Sequence, residues 1–242
     1  MLTFREYLIV LVFESRQALR RYELWLPYAI SSVLGLFVIA KGYQAFGGEK
    51  AQAFFVLGWV PMVMVIAGTL GTVSAVVSLS LGGLAYWLSL PLSVGQVVSA
   101  KLLAGVSTSL LVSLFALSVV AALILHDAAV FAPSKLVALM LLGAAIAGLL
   151  AALAVLVRDL NKLSVVTVLA GGVLQYVSDA YTPVLALPAW MRPLVFANPV
   201  SLASNVLRTG ELSLLFYLTL EAALFFGAGV YALVWRVRRQ LG

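Results

Sequence analysis

The sequence contains no cysteine, a single histidine and few charged residues. Without cysteine, the chain forms no disulfide and carries neither a thiol nucleophile nor a cysteine-ligated metal. Lysine, arginine, aspartate and glutamate make up only 10% of the 242 residues, whereas a soluble domain has about 25%. His126 lies in a predicted loop beside Asp127, and no histidine and acidic residues cluster at metal-ligand spacing. These absences argue against a soluble globular protein and against thiol- or metal-dependent catalysis.

The sequence also lacks a phosphate loop of the form Gly-x-x-x-x-Gly-Lys-Ser/Thr. Its glycine pairs do not have the lysine that follows in such a loop; they are Gly47-Gly48, Gly82-Gly83 and Gly171-Gly172. We therefore expect that the chain does not bind ATP by this motif. We predict no catalytic, cofactor-binding or metal-binding residue in it.

The composition predicts a membrane protein. Apolar residues make up 64% of the sequence and the mean hydropathy is +1.12, both far above the values of a soluble domain. The net charge of +6 does not indicate nucleic-acid binding, because the basic residues lie between apolar runs, where the orientation rule for membrane proteins accounts for them. Membrane lipid is therefore an expected partner. The N-terminal segment is too charged for the apolar core of a cleavable signal peptide, so we do not expect it to be one.

Six apolar runs are each long enough to cross a hydrocarbon layer of about 30 Å, which takes about 20 helical residues. They cover residues 24–42, 54–80, 101–125, 135–157, 163–182 and 213–235. Residues 1–23 mix apolar and charged side chains at helical spacing, which indicates a helix in the membrane interface or a solvated helix. We predict an all-α polytopic membrane protein forming one domain over 1–242: an interfacial helix (1–23), a six-span bundle (24–235) and a cytoplasmic tail (236–242).

The distribution of basic residues predicts the orientation. Six spans place both termini on one side, and the segments on that side hold twice as many lysine and arginine residues as the opposite segments. This excess predicts a multi-pass protein of the cytoplasmic membrane with both termini in the cytoplasm. Segment 183–212 would then face outward.

The segment between the second and third predicted spans reads SLGGLAYWLSLPLSVGQVVSAK. It is more apolar than a free loop, and Ser93 is a predicted N-cap of the helix that follows. Two interpretations stay open. Its aromatic residues dock on a partner, or they anchor the segment at the lipid headgroups. The residues that carry this prediction are Tyr86, Trp87, Leu88, Leu90, Pro91 and Ser93.

Prolines interrupt the chain between the last two predicted spans. Pro183, Pro188, Pro193 and Pro199 recur every five or six residues, a density that rules out one continuous helix. Because the segment is still apolar and contains Trp190, short helical pieces at or within the membrane surface fit it. An ordinary amphipathic loop is the alternative.

A few polar and small residues inside the predicted spans are candidates for function. Gly171 and Gly172 narrow the fifth span so that another helix can approach, and Gln175 and Asp179 share one face of it. Glu221 is an ionisable residue within the sixth span, where a charge is costly. We interpret these five residues as part of a translocation path or a dimer interface. The alternatives are packing within one chain for the glycines and a place near the outer interface for Glu221.

Taken in order, these features resemble the permease subunits of the ABC-2 family of ABC transporters. The first part of the resemblance is YWLSLPLSVGQVVSAK at 86–101, with its Leu-Pro-Leu-Ser core. The second is the segment between the last two spans, which matches in the order Pro183, Leu187-Pro188, Trp190, Asn198-Pro199 and Leu207-Arg208. The resemblance covers nearly the whole chain.

The resemblance implies a permease that pairs with a second permease, the same or homologous, and with two cytoplasmic ABC ATPase subunits. ATP and Mg²⁺ would bind to the ATPase subunits, so the permease is not itself an enzyme and holds no cofactor. Residues 86–101 would form the ATPase-coupling helix. The outer segment with Pro183, Pro188, Trp190, Asn198 and Pro199 would form short re-entrant helices that line the exit of an exporter.

Three other functions compete with this interpretation. A secondary transporter driven by an ion gradient predicts several intramembrane acids, whereas only Glu221 and Asp179 qualify here. An intramembrane enzyme needs paired acids or a Ser–His pair at one depth, and His126 lies outside the predicted spans. A haem-exporter-type permease of cytochrome maturation shares the size and span count, and no residue separates it from the first interpretation.

Overall fold

The computed structural model describes residues 4–20, 22–80, 92–157 and 159–241, and all regular elements within these ranges are helical. The main helices are α1 (Phe4–Arg20), α2 (Tyr22–Ser80), α3 (Val94–Val120), α4 (Pro133–Leu156), α5 (Leu160–Tyr176), α6 (Arg192–Phe196), α7 (Pro199–Thr209) and α8 (Leu212–Leu241). Helix α3 continues as a π-helical turn, Ala121–Leu125, and short 3₁₀ turns cover Ala128–Phe131 and Val184–Ala186. The predicted all-α class is confirmed.

Four described helices are long and apolar enough to cross a membrane. They are Ala29–Leu79, Val94–Leu125, Pro133–Leu156 and Leu212–Arg239. The apolar part of α5, Lys162–Tyr176, is shorter than these four helices. The helix observed at the fifth predicted span therefore ends before residue 182, the predicted limit. Helix α2 contains both the first and the second predicted span.

Gly48 divides α2 into two arms, residues 22–47 and 49–80. Its backbone angles, φ 70° and ψ −171°, are not helical, and only glycine adopts this region without strain. The contacts between the arms lie symmetrically about Gly48: the rings of Tyr43 and Phe55 stack with centroids 4.3 Å apart, and Gly35 lies against Trp59. The two arms are therefore antiparallel.

The second arm of α2 is in turn antiparallel to α3. A Cβ added to Gly71 would lie 2.9 Å from the Cα of Gly105, and one added to Gly68 would lie 3.6 Å from the Ser109 hydroxyl oxygen. As the residue number falls along the α2 arm, it rises along α3. The backbones are closest at Gly71 and Gly105, where neither helix has a side chain to separate them.

Helices α4 and α8 pack in parallel. A Cβ added to Gly229 would lie 2.7 Å from the Cα of Gly148, and Arg236 Nη1 donates to the carbonyl oxygens of Ala154 at 2.7 Å and Val157 at 3.0 Å. Gly148 thus serves packing within the chain. Helix α8 continues to Leu241, so the described part of the predicted tail at 236–242 is helical, and its Arg236 binds the end of α4.

The bundle has two ends, which we name by their arginines. At the Arg236 end, one apolar cluster joins every long helix; it contains Ala75, Val76, Leu79, Val97, Val98, Leu102, Ala151, Ala154, Leu163, Leu233 and Val237. At the Arg208 end, the short helices cover the tips of α2 and α5. Helix α5 connects the two ends, since Leu163 belongs to the first cluster and Leu174 accepts a hydrogen bond at the other end.

Candidate functional site

The largest group of polar contacts among the described residues lies at the Arg208 end. We call it the outer network; it consists of Asp179, Asn198, Ser201, Asn205 and Arg208. Four of these residues lie on α7 or at its N-cap, three to four positions apart, which places them on one face of the helix. That face lies against the turn that follows α5.

Asn198 joins the end of α5 to the start of α7. Its side-chain oxygen accepts from the Val200 amide at 2.9 Å, which makes it the N-cap of α7, and Pro199 occupies the first turn. Its amide nitrogen donates to the carbonyl oxygens of Leu174 at 2.8 Å and Val177 at 2.7 Å. One side chain therefore satisfies backbone groups at two helix ends, where intrahelical partners are missing.

Asp179 is buried in the turn after α5 and contacts three residues of α7. Its backbone amide donates to the Ser201 hydroxyl at 3.1 Å. Its carboxylate Oδ2 accepts from the Asn205 side-chain amide at 2.8 Å and lies 3.5 Å from Arg208 Nη1. The acidic side chain thus fixes α7 in one rotational position against the turn.

Arg208 joins α7 to two other elements through backbone carbonyls. Its Nε and Nη2 donate to the Phe54 oxygen at 3.2 and 3.1 Å, and Nη2 also donates to the oxygens of Asp179 and Ala180 at 3.3 and 3.0 Å. The guanidinium stacks on the Phe54 ring at 3.6 Å from its centroid. Gly58 leaves the space for this group, because a Cβ there would lie 2.6 Å from Nη2.

Burial controls the electrostatics of the pair. Burial raises the pKa of Asp179, while the charge of Arg208 and the hydrogen bonds from Asn205 and Ser201 oppose the rise. Burial likewise lowers the pKa of Arg208 to about 10, and the charge of Asp179 opposes that change. A buried ion pair gains little net free energy of folding, because desolvation offsets its attraction, whereas removal of one partner is strongly destabilising. The pair therefore fixes positions more than it adds stability.

The predicted polar stripe on the fifth span is corrected by this geometry. Helix α5 ends at Tyr176, so Gln175 and Asp179 do not share a helical face. The Ser178 hydroxyl donates to the Gln175 carbonyl oxygen in the turn that follows. The sequence reasoning named Arg208 only as part of a motif and missed Ser201 and Asn205; their spacing after Asn198-Pro199 was the available signal.

The remaining candidates for a path or interface lie apart. Gly171 faces the second arm of α2, with an added Cβ 3.0 Å from the Thr69 hydroxyl oxygen, whereas an added Cβ on Gly172 meets open space. Glu221 is half-buried on α8, and its Oε2 has no hydrogen-bond partner among the described residues. The structure thus places Asp179 and Asn198 in the outer network, with Pro199 in the first turn of α7, whereas Glu221 lies on α8 outside that network.

The predicted ATPase-coupling residues Tyr86, Trp87, Leu88, Leu90 and Pro91 lie outside the described residues. Ser93, which follows them, is the N-cap of α3, as predicted. Its hydroxyl accepts from the Gln96 amide at 3.3 Å, and its own amide donates to the Gln96 side chain at 2.9 Å. This reciprocal capping box fixes where α3 begins.

The proline-rich segment forms short helical pieces, as predicted. Pro183 precedes a 3₁₀ turn, Pro188 accepts a backbone hydrogen bond from Met191, and Trp190 is exposed. Arg192 donates to the carbonyl oxygens of Leu185 and Leu187 and so closes the loop on itself. The loop ends at the N-cap of α7.

A model of the family described as ABC-2 type transporter matches residues 5–212. The chain belongs to the ABC-2 type transporter family. This ABC-2 chain is a multi-pass membrane protein by family and by its long apolar helices. The matched region contains both 86–93 and the outer network. A comparison with curated proteins finds no significant match.

Proposed function

We propose that this ABC-2 protein is the permease subunit of an ATP-driven exporter in the cytoplasmic membrane. It pairs with a second permease, the same or homologous, and with two cytoplasmic ATPase subunits that bind ATP and Mg²⁺. The observation that carries the proposal is the family match over 5–212, which includes the segment proposed for coupling and the helices proposed for the exit.

The alternating directions of the helices support six membrane passes. The two arms of α2, then α3 and α4, reverse direction in turn, and α4 is parallel to α8. A further pass must therefore lie between α4 and α8. Helix α5 fits this pass, because its 17 residues give a length of about 26 Å, close to the thickness of the hydrocarbon layer.

The Arg236 end of the bundle is proposed to be cytoplasmic. Lysine and arginine are more frequent in the segments at this end, including Arg236, Arg238 and Arg239. This places both termini and segment 86–93 in the cytoplasm, where ATPase subunits would bind. The capping box at Ser93 supports coupling, since it fixes the start of α3 directly after that segment in the sequence.

The Arg208 end is then proposed to be the outer face, with the segment 183–209 as re-entrant helices at the exit. Its mostly buried α7 supports this, because a solvated surface loop would expose most of its side chains. Buried α7 residues include Val200, Leu202, Ala203, Val206 and Leu207. The outer network holds α7 against α2 and α5 and keeps this irregular backbone hydrogen-bonded, as a membrane environment requires.

An ion-gradient-driven transporter is weakened as an alternative by the partner of Asp179. A carboxylate that binds a transported ion must give up its protein partners, whereas Asp179 is paired with Arg208 and Asn205. Glu221 is the acid left for that role. A haem-exporter-type permease stays an alternative within ATP-driven transport. Identification of the cargo would distinguish it from other ABC-2 permeases.

Purification of the tagged protein from native membranes in mild detergent tests the proposal. We expect mass spectrometry to find a cytoplasmic subunit with a phosphate loop in stoichiometric amount. An unrelated tagged membrane protein from the same cells is the control for adventitious binding. Recovery of the chain alone, or only with itself, would contradict the ATP-driven function.

A further inference from the structure

Helices α1 and α3 are joined by a buried polar contact that shares no residue with the outer network. Lys101 Nζ donates to Glu14 Oε1 at 2.9 Å, and both side chains are about nine-tenths buried. Hydroxyl pairs lie on either side: Tyr7 and Ser99 at 3.2 Å, and Ser15 and Ser107 at 3.4 Å. We call these six residues the α1–α3 contact.

The contact runs in register along two parallel helices. The first hydroxyl pair joins Tyr7 to Ser99, and the second joins Ser15 to Ser107. Both helices therefore advance by eight residues, in the same direction, between one pair and the next. The helices therefore stay side by side for about 12 Å, given 1.5 Å per residue. A helix that only rested on the membrane surface would not need matched partners on another helix.

The chemistry of the contact favours one register over its neighbours. Apolar packing alone tolerates sliding, since one apolar side chain replaces another at similar free energy. Sliding α1 by one turn would leave Glu14 and Lys101 buried apart from each other, and an unpaired buried charge is strongly destabilising. The Glu14–Lys101 ion pair thus determines the register of α1 on α3 more than it strengthens the packing of the two helices.

The contact lies directly after the segment proposed for ATPase coupling. Helix α3 begins at the Ser93 capping box, and the α1–α3 contact lies in its second to fourth turns, from Ser99 to Ser107. Val10 of α1 also packs on the apolar cluster that holds Val97 and Leu102. Displacement of 86–93 would therefore reach α1 through α3.

We propose that Glu14 and Lys101 are positioning residues that hold α1 and α3 in one register, so that the two helices move as one rigid body during the transport cycle. The transport part of this inference rests on the proposed function, whereas the register can be measured on the chain itself. α1 is then part of the moving machinery and not only a membrane anchor. Ile9, on its opposite face, is exposed.

Disulfide crosslinking measures the register, and the absence of native cysteine makes it simple. The variant Ser15→Cys/Ser107→Cys replaces two hydroxyls 3.4 Å apart and should crosslink rapidly in membranes under mild oxidation. Adding Glu14→Gln should slow crosslinking by about tenfold or more, because the buried lysine loses its counter-charge. Adding Glu14→Lys/Lys101→Glu instead should restore the rate.

Arg16→Gln, on the exposed side of α1, is the matched control and should leave crosslinking unchanged. An unchanged rate in the Glu14→Gln variant would overturn the inference, since the ion pair would not set the register. Rates are normalised to the inserted protein, and the charge-reversed variant separates misfolding from loss of register.

Crosslinking with and without ATP, in the complex purified with its ATPase, tests whether α1 and α3 move as one rigid body. We expect the crosslinking rate of Ser15→Cys/Ser107→Cys to be the same with ATP and vanadate as without nucleotide, and the crosslinked complex to hydrolyse ATP at the rate of its reduced form. A nucleotide-dependent fall in rate, or inhibition that a reductant reverses, would overturn the inference. If no ATPase accompanies the chain, the proposed function fails, while the register result still decides the role of Glu14 and Lys101.

Discussion

The guanidinium of Arg208 lies in the space that a side chain at position 58 would fill, although 150 residues separate Gly58 and Arg208 in the sequence. A Cβ on Gly58 would lie 2.6 Å from Arg208 Nη2 and 2.2 Å from the Ala180 carbonyl oxygen. The guanidinium fits only because the second arm of α2 has no side chain there. The position of the short outer helices therefore depends on a glycine in a different span.

The variant Gly58→Ala should destabilise the protein by about 1–3 kcal/mol, because the added methyl must displace a carbonyl or the guanidinium. Thermal unfolding in detergent, followed by size-exclusion recovery, measures this loss. Gly172→Ala is the control, since its Cβ would meet nothing within 4 Å. Equal melting temperatures for the two variants would contradict the close approach.

Removing Arg208 should cost more than neutralising Asp179. Arg208→Met leaves a buried carboxylate without its counter-charge and three carbonyl oxygens without a donor, which we expect to cost about 3–5 kcal/mol. Asp179→Asn also removes the counter-charge of Arg208, but the guanidinium keeps its hydrogen bonds to three carbonyl oxygens, so the cost should be lower, about 1–3 kcal/mol. The measurement is the folded fraction in membranes; the reverse order would show that Asp179 dominates the network.

Arg236→Gln should loosen the end of α4. Arg236 donates to two carbonyl oxygens at the C-terminus of that helix, and its loss should cost about 1–2 kcal/mol. Arg239→Gln is the matched control, because Arg239 is exposed and stacks on Trp235. Hydrogen exchange of amides at the end of α4 checks the prediction, and equal exchange in both variants would contradict it.

Changing Trp87, Leu90 and Pro91 to alanine should leave membrane insertion intact and lower ATPase association. The reason is that docking requires an apolar surface outside the membrane, whereas insertion depends on the spans. Co-purification of the ATPase, at matched permease levels, is the measurement. Ser213→Ala, on α8 at the other end of the bundle, is the control variant. Unchanged association would remove the coupling role from this segment.

Composition and local sequence signals are enough to predict the class of protein and most helix limits. Apolar composition required a membrane protein, and the cap at Ser93 and the helix breaks in the proline-rich segment after Pro183 followed from local backbone chemistry. These signals are local, since each depends on a few neighbouring residues. The end of α5 was predicted six residues too late, because neither proline nor glycine interrupts the sequence between Tyr176 and Pro183.

Only the tertiary structure decided which distant residues meet. Glu14 and Lys101 are 87 residues apart, and Arg208 and Phe54 are 154 apart; nothing near either residue in the sequence specifies its partner. Partner choice depends on the register and rotation of whole helices, which close approaches such as Gly148 with Gly229 fix in three dimensions. In a bundle with so few charges, buried polar groups have few possible partners, and helix packing selects among them.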